Sequence, residues 1–208
     1  MAGRRVAVID YGMGNVWSVL SAFRYLGGEP ELTGDPDRVA AADFLVLPGV
    51  GSFRKAMDSI RKNGMDEAIR EAVAVRGSRI LGICLGMQLL AAHGSEDGET
   101  AGLGLIGNRV DRFTASELGD RKIPHVGFNT VRIDDRAGVF RDLPGHPDFY
   151  FVHSYRMLAE NLGGRHATCS YGTDFLAAFE TGNICGTQFH PEKSQTNGLI
   201  LIRNFLGS

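Results

Sequence analysis

The chain has 208 residues, 43% of them hydrophobic and 22% charged, with a net charge of −2. That composition suits one soluble α/β domain with a sizeable core, and the near-neutral charge argues against nucleic acid or a charged membrane as the main partner. No apolar run approaches the roughly 20 residues needed to span a bilayer. The N-terminal Met1-Ala2-Gly3-Arg4-Arg5 also carries no apolar signal segment, so a cytoplasmic protein is expected.

Arg5-Val6-Ala7-Val8-Ile9-Asp10 reads as a buried strand ending in the loop Tyr11-Gly12-Met13-Gly14-Asn15. Asn15 is a candidate cap for a helix whose core face is Val16, Leu20, Phe23 and Leu26, and Gly27-Gly28 stops it. Gly12-x-Gly14 lacks the third glycine of a dinucleotide loop, because position 17 is Trp. Pro30 to Thr33 reads as a short strand, Asp35-Pro36-Asp37 opens a brief helix, and Phe44-Leu45-Val46-Leu47 is another buried strand. Lys55 to Ile60 and Met65 to Val75 read as helices, followed by a strand over Ile80 to Ile83 and a helix marked by Leu85, Leu89, Leu90 and Ala92. Repeated βα units imply a parallel sheet with right-handed crossovers.

After His93 the texture changes. Gly94 to Gly104 is polar and glycine-rich, expected to be a surface loop. Arg109 to Thr114, Val126 to Ile133, Phe149 to Tyr155, Ala167 to Tyr171, Phe175 to Glu180 and Ile184 to Phe189 read as strands, some paired as hairpins. Asn197 to Leu206 reads as a closing helix. No linker or internal repeat divides the chain, so residues 1–208 are expected to form a single α/β domain. Its sheet should be open and mixed, mainly parallel, with helices on both faces.

Cys84 is the pivot of the chemistry. It stands where a strand turns into a helix, flanked by Gly82 and Gly86 at minus two and plus two. That is the small-nucleophile-small pattern of a nucleophile elbow, with Cys in place of Ser. A helix N-terminus favours a thiolate, and the Leu85 N–H is placed to stabilise an oxyanion. A buried Cys at an ordinary βα junction would leave the same local pattern, so the remaining motifs decide.

Two stretches do so. Pro48-Gly49-Val50-Gly51-Ser52-Phe53 follows a strand, where open α/β sheets place their sites. It is not a P-loop, since no Gly-Lys-Ser/Thr follows; the N–H groups of Val50 or Gly51 are candidates for the second half of an oxyanion hole. In Gly186-Thr187-Gln188-Phe189-His190-Pro191-Glu192, strand alternation would put positions 188, 190 and 192 on one face. Glu192 could then accept from Nδ1 of His190, leaving Nε2 to exchange a proton with Cys84. His125 and His153 lie in apolar strands and read as hydrogen-bonded core residues, while His93, His146 and His166 read as surface. Cys169 and Cys185 read as packing; the three cysteines form no disulfide framework and no zinc-ligand pair.

Taken in order, Pro48-Gly49-Val50-Gly51, Gly82-Ile83-Cys84-Leu85-Gly86-Met87-Gln88 and Gln188-Phe189-His190-Pro191-Glu192 resemble the motifs of the class I (triad) glutamine amidotransferases. Asp10-Tyr11-Gly12-Met13-Gly14-Asn15, Gly102-Leu103-Gly104-Leu105 and Tyr150-Phe151-Val152-His153-Ser154-Tyr155 narrow the resemblance to the glutaminase subunits of imidazole glycerol phosphate synthase. The resemblance implies that Cys84 attacks the side-chain carbonyl of L-glutamine, that His190 transfers protons and that Glu192 orients it. It implies that Gln88 and His153-Ser154-Tyr155 help to hold glutamine. It further implies a heterodimer with a separate (β/α)8-barrel cyclase subunit that receives the ammonia in histidine biosynthesis. No cofactor and no metal are implied. The chain departs from the family's pattern at Phe128, where Trp is usual in His-x-Gly-Trp-Asn, and at Gly107-Asn108, where Pro-Gly is usual. Two other readings use the same residues: a paralogue supplying ammonia to another synthase, such as one for surface-polysaccharide sugars, and a stand-alone cysteine hydrolase.

Overall fold

The computed structural model describes residues 4–160 and 162–207. The first half alternates β1 (Arg5–Ile9), α1 (Val16–Tyr25), β2 (Glu29–Thr33), α2 (Pro36–Ala41), β3 (Phe44–Leu47), α3 (Phe53–Lys62), α4 (Met65–Arg70), β4 (Arg79–Ile83) and α5 (Leu85–Leu89). The second half holds β5 (His93–Gly94), β6 (Thr100–Ala101), β7 (Arg109–Arg112), α6 (Ala115–Leu118), β8 (His125–Ile133), β9 (Asp148–His153), β10 (Tyr155–Met157), β11 (Arg165–Tyr171), β12 (Thr173–Thr181), β13 (Ile184–Thr187) and α7 (Gln195–Gly207).

Among the described residues, the larger sheet runs β2-β1-β3-β4-β13-β12-β11-β8-β9. The strands from β2 to β13 are parallel, and β12, β11, β8 and β9 extend the sheet antiparallel. The sheet is therefore mixed, as expected, but it is not mainly parallel: four of its pairings are parallel and four antiparallel, because the strand-rich second half adds hairpin-type neighbours to the βα half. A smaller sheet runs β10-β7-β5-β6.

The strand alternation of β1 explains the layers. Val6 and Val8 face one core with Leu20 and Phe23 of α1 and Ile202 and Phe205 of α7. Ala7 and Ile9 face the other, with Val39 of α2, Met57 of α3 and Ile69 of α4. Both sheet faces are covered by helices, which is why these strands read as unbroken apolar runs. Phe205 is fully buried and meets Phe23 edge-on at 6.3 Å and Phe44 at 5.8 Å. Burying a side chain of that size contributes about 1.5–3 kcal/mol.

Several boundaries differ from the sequence reading. Asn15 occupies the cap position of α1 but its side chain makes no capping bond. Residues 94–104 are not simply a surface loop. β5 and β6 pair there, and Gly94, Thr100, Gly102 and Leu103 are buried, because the Gly102 and Leu103 amides bond back to Ala92 and Leu89. The strand expected to reach Thr114 stops at Arg112, since Thr114 caps α6 in a capping box with Glu117. The run 149–155 is broken at Ser154, where the chain passes from the larger sheet to the smaller one. The strand expected to reach Phe189 stops at Thr187, and α5 ends at Leu89 rather than near Ala92.

Candidate active site

Three neighbouring parallel strands deliver the site. β3, β4 and β13 lie side by side, and their C-terminal ends release Pro48-Gly49-Val50-Gly51, Cys84 and Gln188-Phe189-His190 respectively. The register pairs Ile83 with Thr187, so Cys84 and the segment carrying His190 leave the sheet together. A crevice outside the strand ends is where an open α/β sheet binds ligands.

Cys84 adopts φ 54° and ψ −110°, a conformation that costs a residue with a Cβ about 1–3 kcal/mol. Its surroundings hold it there. The Cys84 amide donates to the Thr187 carbonyl at 2.7 Å, and the Gln88 amide donates to the Cys84 carbonyl at 3.3 Å. The turn also demands bare backbone: a Cβ on Gly82 would lie 2.7 Å from the Gly86 carbonyl oxygen. The helix behind Cys84 is short, so its field is that of a few peptide units. Leu85, at its first position, retains an amide with no intrahelical acceptor.

His190 is positioned by its backbone. Its amide donates to the Tyr150 carbonyl at 2.9 Å, and the Ser194 hydroxyl donates to its carbonyl at 2.6 Å. Nδ1 of His190 donates to Oε1 of Glu192 at 2.8 Å, with both side chains almost fully buried. The contact arises differently from the strand alternation expected. Pro191 to Lys193 form a turn of 3-10 helix, and this turn brings Glu192 back under the imidazole. Burial works against a charged ring, but Cys84 on one side and Glu192 on the other outweigh it and lift the His190 pKa to about 9. Nε2 is buried and closes no hydrogen bond of ordinary length and angle, which leaves it available for a proton exchange at Cys84.

A cavity of about 270 Å³ opens over Cys84, lined by Val50, Gly51, Cys84, Leu85, Gln88, Glu96, Pro124, Val152, His153, Ser154, Tyr155 and His190. All the site residues expected from the sequence line it except Glu192, which stands behind His190. The amide nitrogen of Gln88 points into the protein, donating to the Tyr155 carbonyl at 2.9 Å and to Oε1 of Gln188 at 3.0 Å. Gln188 in turn sets its own amide nitrogen 3.8 Å from the Cys84 sulfur. Tyr11 is buried, its hydroxyl donating to the Pro48 carbonyl at 2.7 Å. Burial first and the charge of Cys84 second push its pKa above the usual tyrosine range.

Sequence reasoning missed Glu96, Pro124, Val152 and Ser194. Glu96 accepts from the Phe53 amide at 3.0 Å, and burial raises its carboxyl pKa. Nothing in the polar stretch around it marks it out. Ser194 could have been found as the residue closing the turn after Pro191. A larger cleft of about 740 Å³ runs along β2 past Arg5, Arg24, Glu31 and Arg38, but it offers neither a thiol nor an imidazole.

A cysteine on a strained elbow, an imidazole beside it and a buried carboxylate behind the imidazole form an arrangement chemically suited to acyl transfer. The family profile described as Glutamine amidotransferase class-I matches residues 7–207, and this chain belongs to that family. Among curated relatives, the imidazole glycerol phosphate synthase subunit HisH of Moorella thermoacetica is 46% identical over 202 residues, covering 97% of this chain and 94% of its own. The HisH subunit of Syntrophotalea carbinolica is 45% identical, covering 96% and 98%. Within the class I family, the chain falls with these HisH subunits. Among solved structures, PurLQS from Thermotoga maritima superposes with a TM-score of 0.75 at 18% identity, covering 99% of this chain and 98% of the other. A glutamine amidotransferase from the same organism gives 0.71 at 17% identity, covering 99% and 97%. At those identities the likeness concerns the fold alone.

Proposed function

We propose that this chain is the glutaminase subunit of an imidazole glycerol phosphate synthase and that Cys84, His190 and Glu192 carry its chemistry. The Cys84 sulfur attacks the side-chain carboxamide carbon of L-glutamine. The oxyanion that forms accepts hydrogen bonds from the Leu85 amide and from the Val50 or Gly51 amide. His190, held protonated by Cys84 and Glu192, gives its Nε2 proton to the leaving nitrogen as the carbon–nitrogen bond breaks. Ammonia departs and a glutamyl thioester remains on Cys84. A water then loses a proton to Nε2, adds to the thioester carbonyl and displaces the Cys84 thiolate, releasing glutamate.

The amino-acid end of the substrate fits the far side of the cavity. Glu96 is the carboxylate there, suited to an α-ammonium group, and Gln88, His153, Ser154 and Tyr155 supply the wall. The observation that carries the reading is the meeting of the β3, β4 and β13 ends around one thiol.

The ammonia is delivered to a separate cyclase subunit of (β/α)8-barrel form. Support for a docking partner comes from the outer face of β8 and β9, where Val126, Phe128 and Val152 are exposed and Phe128 packs edge-on against Tyr150 at 5.5 Å. The test is glutamine hydrolysis by the purified protein with and without the histidine-pathway cyclase and its nucleotide ligand. Stimulation by the cyclase is expected. Hydrolysis unaffected by a cyclase that is itself competent on free ammonia would assign the ammonia to another synthase.

A further inference from the structure

A second group of side chains stands behind the cavity. His125 and His153 face each other across β8 and β9, with Nδ1 of the first 3.0 Å from Nε2 of the second. The other nitrogens fix where the protons are. Nδ1 of His153 lies 2.9 Å from the Tyr155 carbonyl, which can only accept. Nε2 of a neutral His153 is then an acceptor, and Nδ1 of His125 must be the donor. Nε2 of His125 in turn accepts from the Asn129 amide nitrogen at 3.4 Å. Asn129 cannot be turned over, because that nitrogen also donates to the Ser170 carbonyl while its oxygen accepts from the Thr130 amide. Every polar atom of this relay is satisfied only with both rings neutral and protonated at Nδ1.

The surroundings keep them so. Burial is the largest cause for each: it holds His125 down to about 4, with Arg121 adding to it, and His153 to about 3, where it outweighs the bond to the Tyr155 carbonyl and His125, His190 and Arg156 add to it. His125 is stacked between Tyr171 at 4.0 Å and Phe151 at 4.8 Å. The relay ends on the carbonyl that also accepts from Gln88. That carbonyl lies just past Ser154, where the chain changes sheets, and Val152 to Tyr155 form one wall of the cavity.

We infer that His125, which does not line the cavity, is a positioning residue for it: through His153 it fixes the Tyr155 carbonyl and with it the wall against which glutamine is held. The inference rests on the glutaminase reading above. It concerns one hydrogen-bond donor, Nδ1–H of His125, rather than the bulk of the ring. A wall that binds substrate without touching the reacting atoms should act on KM more than on kcat.

The test uses two variants of the full chain, assayed with the cyclase partner. His125→Phe keeps the aromatic stack and removes the donor. His125→Asn gives up the ring but places an amide N–H near the position of Nδ1. A KM for glutamine raised by about tenfold in the Phe variant, with kcat within about threefold of wild type, is expected for loss of one well-placed hydrogen bond. The Asn variant is expected to return most of the loss. A folded Phe variant with unchanged KM, or an Asn variant no better than Phe, would overturn the inference. A purely structural role would instead lower the melting temperature and the active fraction, leaving KM alone. The wild type supplies an independent check by imidazole 15N NMR at neutral pH, where both rings must show the Nδ1–H tautomer; an Nε2–H tautomer in either ring overturns the relay. Should the wild type hydrolyse no glutamine under any condition, the functional reading fails, and the NMR result still judges the relay.

Discussion

Gly86 and Leu47 leave no room between them: a Cβ on Gly86 would lie 1.7 Å from the Leu47 carbonyl oxygen. That contact presses the start of α5 against the end of β3 and brings the Cys84 elbow beside the Val50-Gly51 loop. Gly86→Ala must push two backbone segments apart. We expect a loss of about 1–3 kcal/mol, the range for overpacking, together with reduced glutamine hydrolysis. Urea denaturation measures the first; an unchanged midpoint would show that the two segments can part at no cost.

The His190–Glu192 pair predicts a specific pH effect. Glu192 is one of the groups that lift the His190 pKa to about 9. Its replacement in Glu192→Gln removes that support, so the alkaline limb of kcat/KM moves to lower pH. The rate should fall by roughly tenfold, less than the 10²-fold or more expected for His190→Ala, because in the proposed mechanism Glu192 orients and His190 transfers the proton. A pH–rate profile decides. An alkaline limb that stays in place would remove Glu192 from the proton path.

The buried histidines pull stability in opposite directions along the pH axis. His190 has its pKa raised from 6.5 to about 9. Its contribution is therefore complete below about pH 6.5 and lost as pH rises through 9. His125 and His153 have theirs lowered from 6.5 to about 4 and about 3. Their contribution is present above 6.5 and lost as pH falls toward 4 and then 3, since the unfolded chain takes up protons that the folded one refuses. Melting temperatures across pH should fall on both sides of the neutral range. In Cys84→Ala the alkaline fall should shrink, because one of the groups raising His190 is gone. A profile identical in shape to wild type would contradict the coupling.

At the opposite end of the sheet, Glu180 anchors a buried cluster away from the chemistry. It accepts from Arg79 at 2.6 Å, from Arg165 at 3.4 Å and from the Val139 amide at 3.2 Å. Arg79 also donates to the Phe205 carbonyl at 3.2 Å. Removing one partner of a buried pair typically costs about 3–5 kcal/mol, and Arg79→Ala should approach that in urea denaturation while leaving KM for glutamine unchanged. A loss under about 1 kcal/mol, the worth of a surface pair, would mean that water replaces Arg79.

Much of the site can be read from the sequence because its constraints are local. The Cys84 elbow announces itself through Gly82 and Gly86, and apolar runs mark β1, β3 and β4. Strand alternation pairs Glu192 with His190 correctly but through the wrong geometry, since Pro191 starts a turn of 3-10 helix instead. The break at Ser154 is hidden because Tyr155 is as β-prone as the residues before it; only its pairing with Arg112 in the smaller sheet separates the two strands. Glu96 is illegible for a related reason. Its place at the cavity depends on the Phe53 amide, 43 residues away in the chain, and no local pattern encodes that distance. The His125–His153 relay shows in the sequence only as two core histidines, because cross-strand register decides that they meet.

The measurement that tests the account most directly is glutamine hydrolysis by Cys84→Ala, assayed with the cyclase partner and compared with wild type at matched fold content. The account predicts no turnover above the uncatalysed rate, with the circular dichroism spectrum of the wild type retained. Turnover near the wild-type level would mean that the nucleophile lies elsewhere and that the Cys84-His190-Glu192 arrangement is not the engine of the reaction.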